Sequence, residues 1–112
     1  YFPVANAQVR HFYEDCGFTV VRDVCLQRPS PVLIAHSTDD MCRKAIREID
    51  GDDVDAIVQV GTNLSMIRLA AAAELFLGKP VIAINTATYW HALRALGIND
   101  KKAGFGSLLE HH

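Results

Sequence analysis

The chain has 112 residues, half of them hydrophobic, enough for one small domain with a core of its own and too few for a multidomain assembly. Eleven basic residues against thirteen acidic ones leave a net charge of -2 with no run of either sign, so nothing marks a nucleic-acid surface. No apolar stretch reaches the roughly 18 residues of a membrane span, and the three cysteines (Cys16, Cys25 and Cys42), odd in number and without CxxC spacing, suit a reducing cytoplasm better than a disulfide framework or a metal site.

The first predicted element is a helix in PVANAQVRHFYEDCGF, where Val9, Phe12, Tyr13 and Cys16 recur at helical spacing and Gly17 supplies the stop. FTVVRDVCL is rich in β-branched residues and short enough for a strand, with Thr19 to Cys25 at its centre. QRPSP is expected to be a loop, because two closely spaced prolines propagate neither a helix nor a central strand. Ser37 and Asp40 in STDD have the spacing of a capping box, and MCRKAIREI carries that helix to a turn at DGDD.

VDAIVQV and PVIAIN are short, nearly continuous apolar runs, as in parallel strands covered on both faces. Between them Leu64 to Leu77 reads as a helix stopped by Gly78. TATYWHALRALG reads as an amphipathic helix ended by Gly97, with Tyr89, Trp90, Leu93 and Leu96 on one side and His91 and Arg94 on the other. The order α-β-α-β-α-β-α predicts an α/β fold with an open parallel sheet, a flavodoxin-like lobe of strand order 2-1-3-4. In that order the first, central strand is missing from this chain, and Thr19 to Cys25 has no neighbour unless residues ahead of Tyr1 supply one. The helix from Leu64 to Leu77 carries only Arg68 and Glu74 as charges, so it too is expected to meet a second surface. The chain opens without an initiator Met and closes on LEHH, which reads as an expression-tag remnant at residues 109 to 112; what remains reads as part of a longer protein.

Open α/β sheets bind ligands at the carboxyl ends of their strands, which directs attention to Gly61 to Asn63, Asn85 to Thr88 and Tyr1. Gly61, Thr62 and Asn63 precede a predicted helix whose free amides and dipole suit a carboxylate or phosphate, although Thr62 or Asn63 as a plain N-cap fits the same pattern. Asn85 and Thr86 are expected to be caps. Of the five histidines, His111 and His112 belong to the tag reading, His11 and His91 lie on polar helical faces, and His36 precedes a cap. Neither GxGxxG nor GxxxxGK[ST] occurs, so nucleotide binding has no support, and no metal is expected.

DAIVQVGTNLSMI, followed by LGKPVIAINTATYWHALRALGI, resembles the second half of the aspartate/glutamate racemase superfamily, in the branch of maleate cis-trans isomerase and arylmalonate decarboxylase. YFPVANAQVRHFYEDCGFTVV is similar to the same branch after its first strand, so the resemblance spans residues 1 to 108 as a C-terminal lobe. It implies a cofactor-independent enzyme of two α/β lobes, with a small dicarboxylate between them and a reactive cysteine at a strand end of each lobe. It also implies that Tyr1 hydrogen-bonds a substrate carboxylate, that Thr62 and Asn63 hold a carboxylate, and that Gly61 stands where the catalytic cysteine would be. The function so implied is isomerisation or decarboxylation of a small dicarboxylate, with the partner an N-terminal lobe or a second copy in a homo-oligomer. The alternatives are a decarboxylase-like enzyme using one cysteine, a non-catalytic dicarboxylate-binding pseudoenzyme, and an introduced glycine.

Overall fold

The computed structural model describes residues 5 to 112. Eight elements follow in chain order: α1 (Asn6–Asp15), α2 (Pro31–Ala35), α3 (Asp39–Ile49), β1 (Ile57–Gln59), α4 (Ile67–Leu77), β2 (Val81–Ala83), α5 (Ile84–Ala95) and α6 (Ser107–His111). β1 and β2 pair in parallel, with Ile57 opposite Val81, Val58 opposite Ile82 and Gln59 opposite Ala83. The fold is therefore mixed α/β with a small parallel sheet.

Register decides which side chains form the core, because successive residues of a strand point to opposite faces. Ile57, Val81 and Ala83 share one face and are buried with Cys42 and Ile46 of α3 and Ala70 and Ala73 of α4. The small residues of α4 let its backbone approach β2 closely, while α3 packs beside it. Val58, on the other face, is 40% exposed. Gly78 ends α4 in the left-handed conformation, at φ 64°, and its N–H donates to the Glu74 carbonyl as the sequence suggests. The Glu74 carboxylate ties three elements together, accepting from the Val81 N–H at 3.1 Å, the Ser107 N–H at 2.7 Å and the Ser107 hydroxyl at 2.8 Å.

Several sequence expectations need correction. Thr19 to Cys25 forms no strand: the segment pairs with no other among the described residues and is held instead by side chains. The Arg10 guanidinium donates to the Val20 carbonyl at 2.6 Å and to the Asp23 carboxylate at 3.2 Å, and Arg22 pairs with Asp53. A β-branched run becomes a strand only where another strand takes up its backbone groups. The second proline of QRPSP starts α2 rather than extending a loop, because proline at the first helical position gives up no bond. The cap of α3 is Thr38, whose hydroxyl accepts from the Met41 N–H at 3.3 Å, one residue later than the Ser37 capping box expected. On α5, Trp90 and Leu93 are half-buried, but Tyr89 and Leu96 are 56% and 76% exposed, so the expected apolar side is only partly covered. α4 presents Leu75 and Phe76 at 85% and 86% exposure, in line with its almost wholly apolar sequence. No helix among the described residues is long and apolar enough to cross a membrane.

Lys79, next to the left-handed Gly78, bonds the Asp50 carboxylate at 2.9 Å and the Gly51 carbonyl at 2.8 Å, fastening the end of α3 to the entry of β2. The hydrogen bond from Lys79, aided by the Gly51 N–H, holds the Asp50 carboxyl below its ordinary value of 3.8. A lowered folded-state value stabilises the fold above the unfolded value, and that stabilisation is lost as the pH falls through the folded one. The difference in urea midpoint between the parent and Asp50→Asn is therefore expected to be constant near neutral pH and to shrink as the pH is lowered below 3.8.

Candidate functional site

At the carboxyl end of β1 the chain leaves the sheet through Gly61, whose φ of 105° is open to glycine and strained for other residues. The Gly61 carbonyl accepts from the Gln59 side-chain amide at 2.7 Å and from the Leu64 N–H at 3.2 Å, closing a tight turn. Asn85, in the first turn of α5, donates its side-chain amide to the Thr62 carbonyl at 3.0 Å, and Asn63 donates to the Pro31 carbonyl at 3.3 Å. The loop is thus braced from β1, from the exit of β2 and from α2. Thr62 and Asn63 are exposed, and among the described residues their backbone N–H groups donate to no protein acceptor. Two such amides beside a hydroxyl can bind a carboxylate oxygen without being pulled out of another bond.

The helix expected to open at Leu64 starts at Ile67, with Met66 as its N-cap and no side-chain cap. Leu64 and Met66 are buried in the core, at 8% and 6% exposure, and this anchoring holds the stretch out of the helix. Thr62 and Asn63 are therefore neither caps nor the first helical residues, and the positive end of the α4 dipole lies further along the chain. Asn85 and Thr86 are not caps either. α5 begins at Ile84, Thr86 is buried at 5% exposure, and Asn85 acts as a brace. Tyr1 lies outside the described residues.

Sequence reasoning passed over Gln59 and Pro31 as parts of this site. Gln59 is the lone polar residue of VDAIVQV within the strand proper, and a polar side chain in a buried strand was the available signal. The Pro31 carbonyl carried no signal, since its position follows from the packing of α2.

No cysteine reaches this loop by sequence or structure. Cys16 is exposed at the end of α1, Cys25 is half-buried in the extended segment, and Cys42 sits in the core at 2% exposure. Burial, with Asp39 nearby, pushes the Cys42 thiol up, which keeps it protonated and poorly nucleophilic. His11 lies 3.5 Å from Asp15 on α1, and His91 is exposed on α5. Among the described residues no group of three His, Cys, Asp or Glu side chains is placed to hold a metal ion. A Cβ built on Gly61 would meet no atom within 4 Å, so space is open there and only the backbone disfavours a side chain. Gly61→Ala and Gly61→Cys should each lower stability by about 1–3 kcal/mol, the range for a non-glycine residue in a sparsely populated backbone region, and should agree with one another in urea unfolding.

No family model matches the chain, and no curated protein does. Solved structures do. Over 100% of its length the chain is similar to maleate cis-trans isomerase of Nocardia farcinica, in a cysteine-to-serine mutant with a covalently bound succinylcysteine intermediate, at 26% identity and a TM-score of 0.93. The same isomerase bound to TRIS matches 98% of the chain at 26% identity and a TM-score of 0.92. The chain spans 46% and 45% of those two structures, somewhat under half. The resemblance read from the sequence therefore extends to the three-dimensional structure, in keeping with a C-terminal half of the aspartate/glutamate racemase superfamily.

Proposed function

We propose that this chain is the C-terminal lobe of a cofactor-independent enzyme acting on a small dicarboxylate by cysteine chemistry, as a maleate isomerase-like or decarboxylase-like protein. The observation that carries the reading is the match of the whole chain to an isomerase whose structure holds a succinylcysteine intermediate. In this reading the sheet has strand order 2-1-3-4, with β1 and β2 as its third and fourth strands. The loop from Gly61 to Asn63 receives one substrate carboxylate through the Thr62 and Asn63 amides and the Thr62 hydroxyl, and Tyr1 hydrogen-bonds a substrate carboxylate.

The thiol comes from the other lobe. For isomerisation its thiolate sulfur adds to one carbon of the double bond, and the π electron pair moves to the second carbon, which takes a proton. Rotation about the resulting single bond is followed by loss of that proton, return of its electron pair to the double bond and departure of the thiolate. The task of the present lobe is to hold one carboxylate still while the rest of the molecule turns. Gly61 favours a one-thiol reaction: it removes the second sulfur and leaves open space beside the carboxylate. The same glycine favours a dicarboxylate-binding protein without turnover if the other lobe also lacks its thiol.

Turnover of maleate and of aryl- and alkylmalonates by the two-lobe protein, with Gly61 and with Gly61→Cys, separates these readings. Activity of the Gly61 form on either substrate class is expected, with none from residues 1 to 112 alone, which hold at most half of the site. Absence of both turnover and carboxylate binding in the two-lobe protein overturns the proposal.

A further inference from the structure

A trans peptide is planar, and its carbonyl and its N–H point in opposite directions. A group that grips the carbonyl of one residue therefore aims the N–H of the next. In the loop after β1 the Gly61 carbonyl accepts from the Gln59 Nε2 at 2.7 Å, and the N–H of that same peptide belongs to Thr62. The Thr62 carbonyl accepts from the Asn85 Nδ2 at 3.0 Å, and the N–H of that peptide belongs to Asn63. Two side-chain amides thus hold by their carbonyls the two peptides whose N–H groups donate to no acceptor among the described residues.

For the stability of the core, glutamine is a poor choice at this position. Gln59 stands on the buried face of β1, two residues after Ile57 and opposite Ala83, and is 7% exposed. Its Oε1 is buried and accepts from no donor among the described residues. A buried acceptor without a donor costs stability, so an apolar side chain of the same length suits the core better. The bond from Nε2 does little to offset this, because it reaches only two residues along the chain and joins no distant element. Asn85 differs: its bond spans 23 residues and ties the exit of β2 to that of β1.

What the Gln59 bond does control is the orientation of one peptide. Gly61, at a φ of 105°, has the conformational freedom of glycine, and the peptide that follows it is correspondingly easy to turn over. Turned over, that peptide would point the Thr62 N–H inward and present the Gly61 carbonyl oxygen where an anion would approach. The Leu64 N–H closes the turn at the longer distance of 3.2 Å. The Gln59 Nε2, buried in the strand and lacking any other printed acceptor, would lose its bond if the peptide turned, and so opposes the change.

We infer that Gln59 is a positioning residue, one that costs the core stability and whose side-chain amide aims the Thr62 N–H outward as a donor to an anionic oxygen. The inference rests on the proposed function in taking that oxygen as a substrate carboxylate, and one arm of its test needs no ligand. Gln59→Met keeps the length of the side chain and removes both the donor and the unpaired acceptor. In this chain its urea midpoint should equal or exceed the parent's. Backbone amide NMR relaxation should show the Thr62 N–H becoming mobile on the picosecond-to-nanosecond timescale, with the Asn63 N–H, still held through Asn85, changing less. In the two-lobe protein Gln59→Met should weaken maleate binding by roughly 10- to 100-fold, the loss of one hydrogen bond to a charged group. Asn85→Ala should instead loosen the Asn63 N–H and lower the urea midpoint. A lower midpoint for Gln59→Met overturns the inference, because the glutamine would then support the core. So does a Thr62 N–H as ordered in Gln59→Met as in the parent, or an unchanged maleate affinity. Should the parent two-lobe protein bind no maleate, the proposed function fails, and the urea and relaxation measurements still decide the role of Gln59.

Discussion

The parallel register between β1 and β2 is the constraint on which the rest of the molecule depends. By setting Ile57 against Val81 it turns one face of the sheet to α3 and α4, and there the core forms. A slip of β1 by one residue would turn Val58 inward and Ile57 and Gln59 outward, breaking up the buried set. The same register brings the exits of the two strands side by side. That is why Asn85, two residues past β2, reaches the Thr62 carbonyl, three residues past β1.

Stability is unevenly distributed as a result. The α3–α4 face has continuous packing, the Lys79–Asp50 pair and the Glu74 clamp. The opposite side, with α1 and the segment from Gly17 to Val24, is held by arginine bonds at the rim of an apolar groove. Exposed ion pairs contribute little in water compared with buried apolar surface.

The loop from Gly61 to Asn63 is held in one geometry by partners on three elements. The Gly61 and Thr62 carbonyls are committed to Gln59, Leu64 and Asn85, while among the described residues the Thr62 and Asn63 amides donate to no protein acceptor. The φ of 105° at Gly61 belongs to a backbone shaped around glycine. A side chain at that position would strain the loop, although the space beside it is open.

Much of this was legible in the sequence. Continuous apolar runs marked β1 and β2, although β1 is buried on one face only, with Val58 exposed on the other, and Gly17, Gly78 and Gly97 marked helix ends, because each takes a positive φ there. The loop with the free amides was found from its place after an apolar run. What the sequence could not determine depends on partners distant in the chain. Thr19 to Cys25 has a strand's composition, yet a strand exists only when another takes its hydrogen bonds. Leu64 to Met66 has a helix's periodicity, yet burial of Leu64 and Met66 delays α4 to Ile67. Glu74 reads as a stray charge on an apolar helix until the fold brings Val81 and Ser107 to its carboxylate. Local preference is set by neighbours along the chain, whereas hydrogen-bond satisfaction and burial are set by neighbours in space, and only the tertiary structure supplies those.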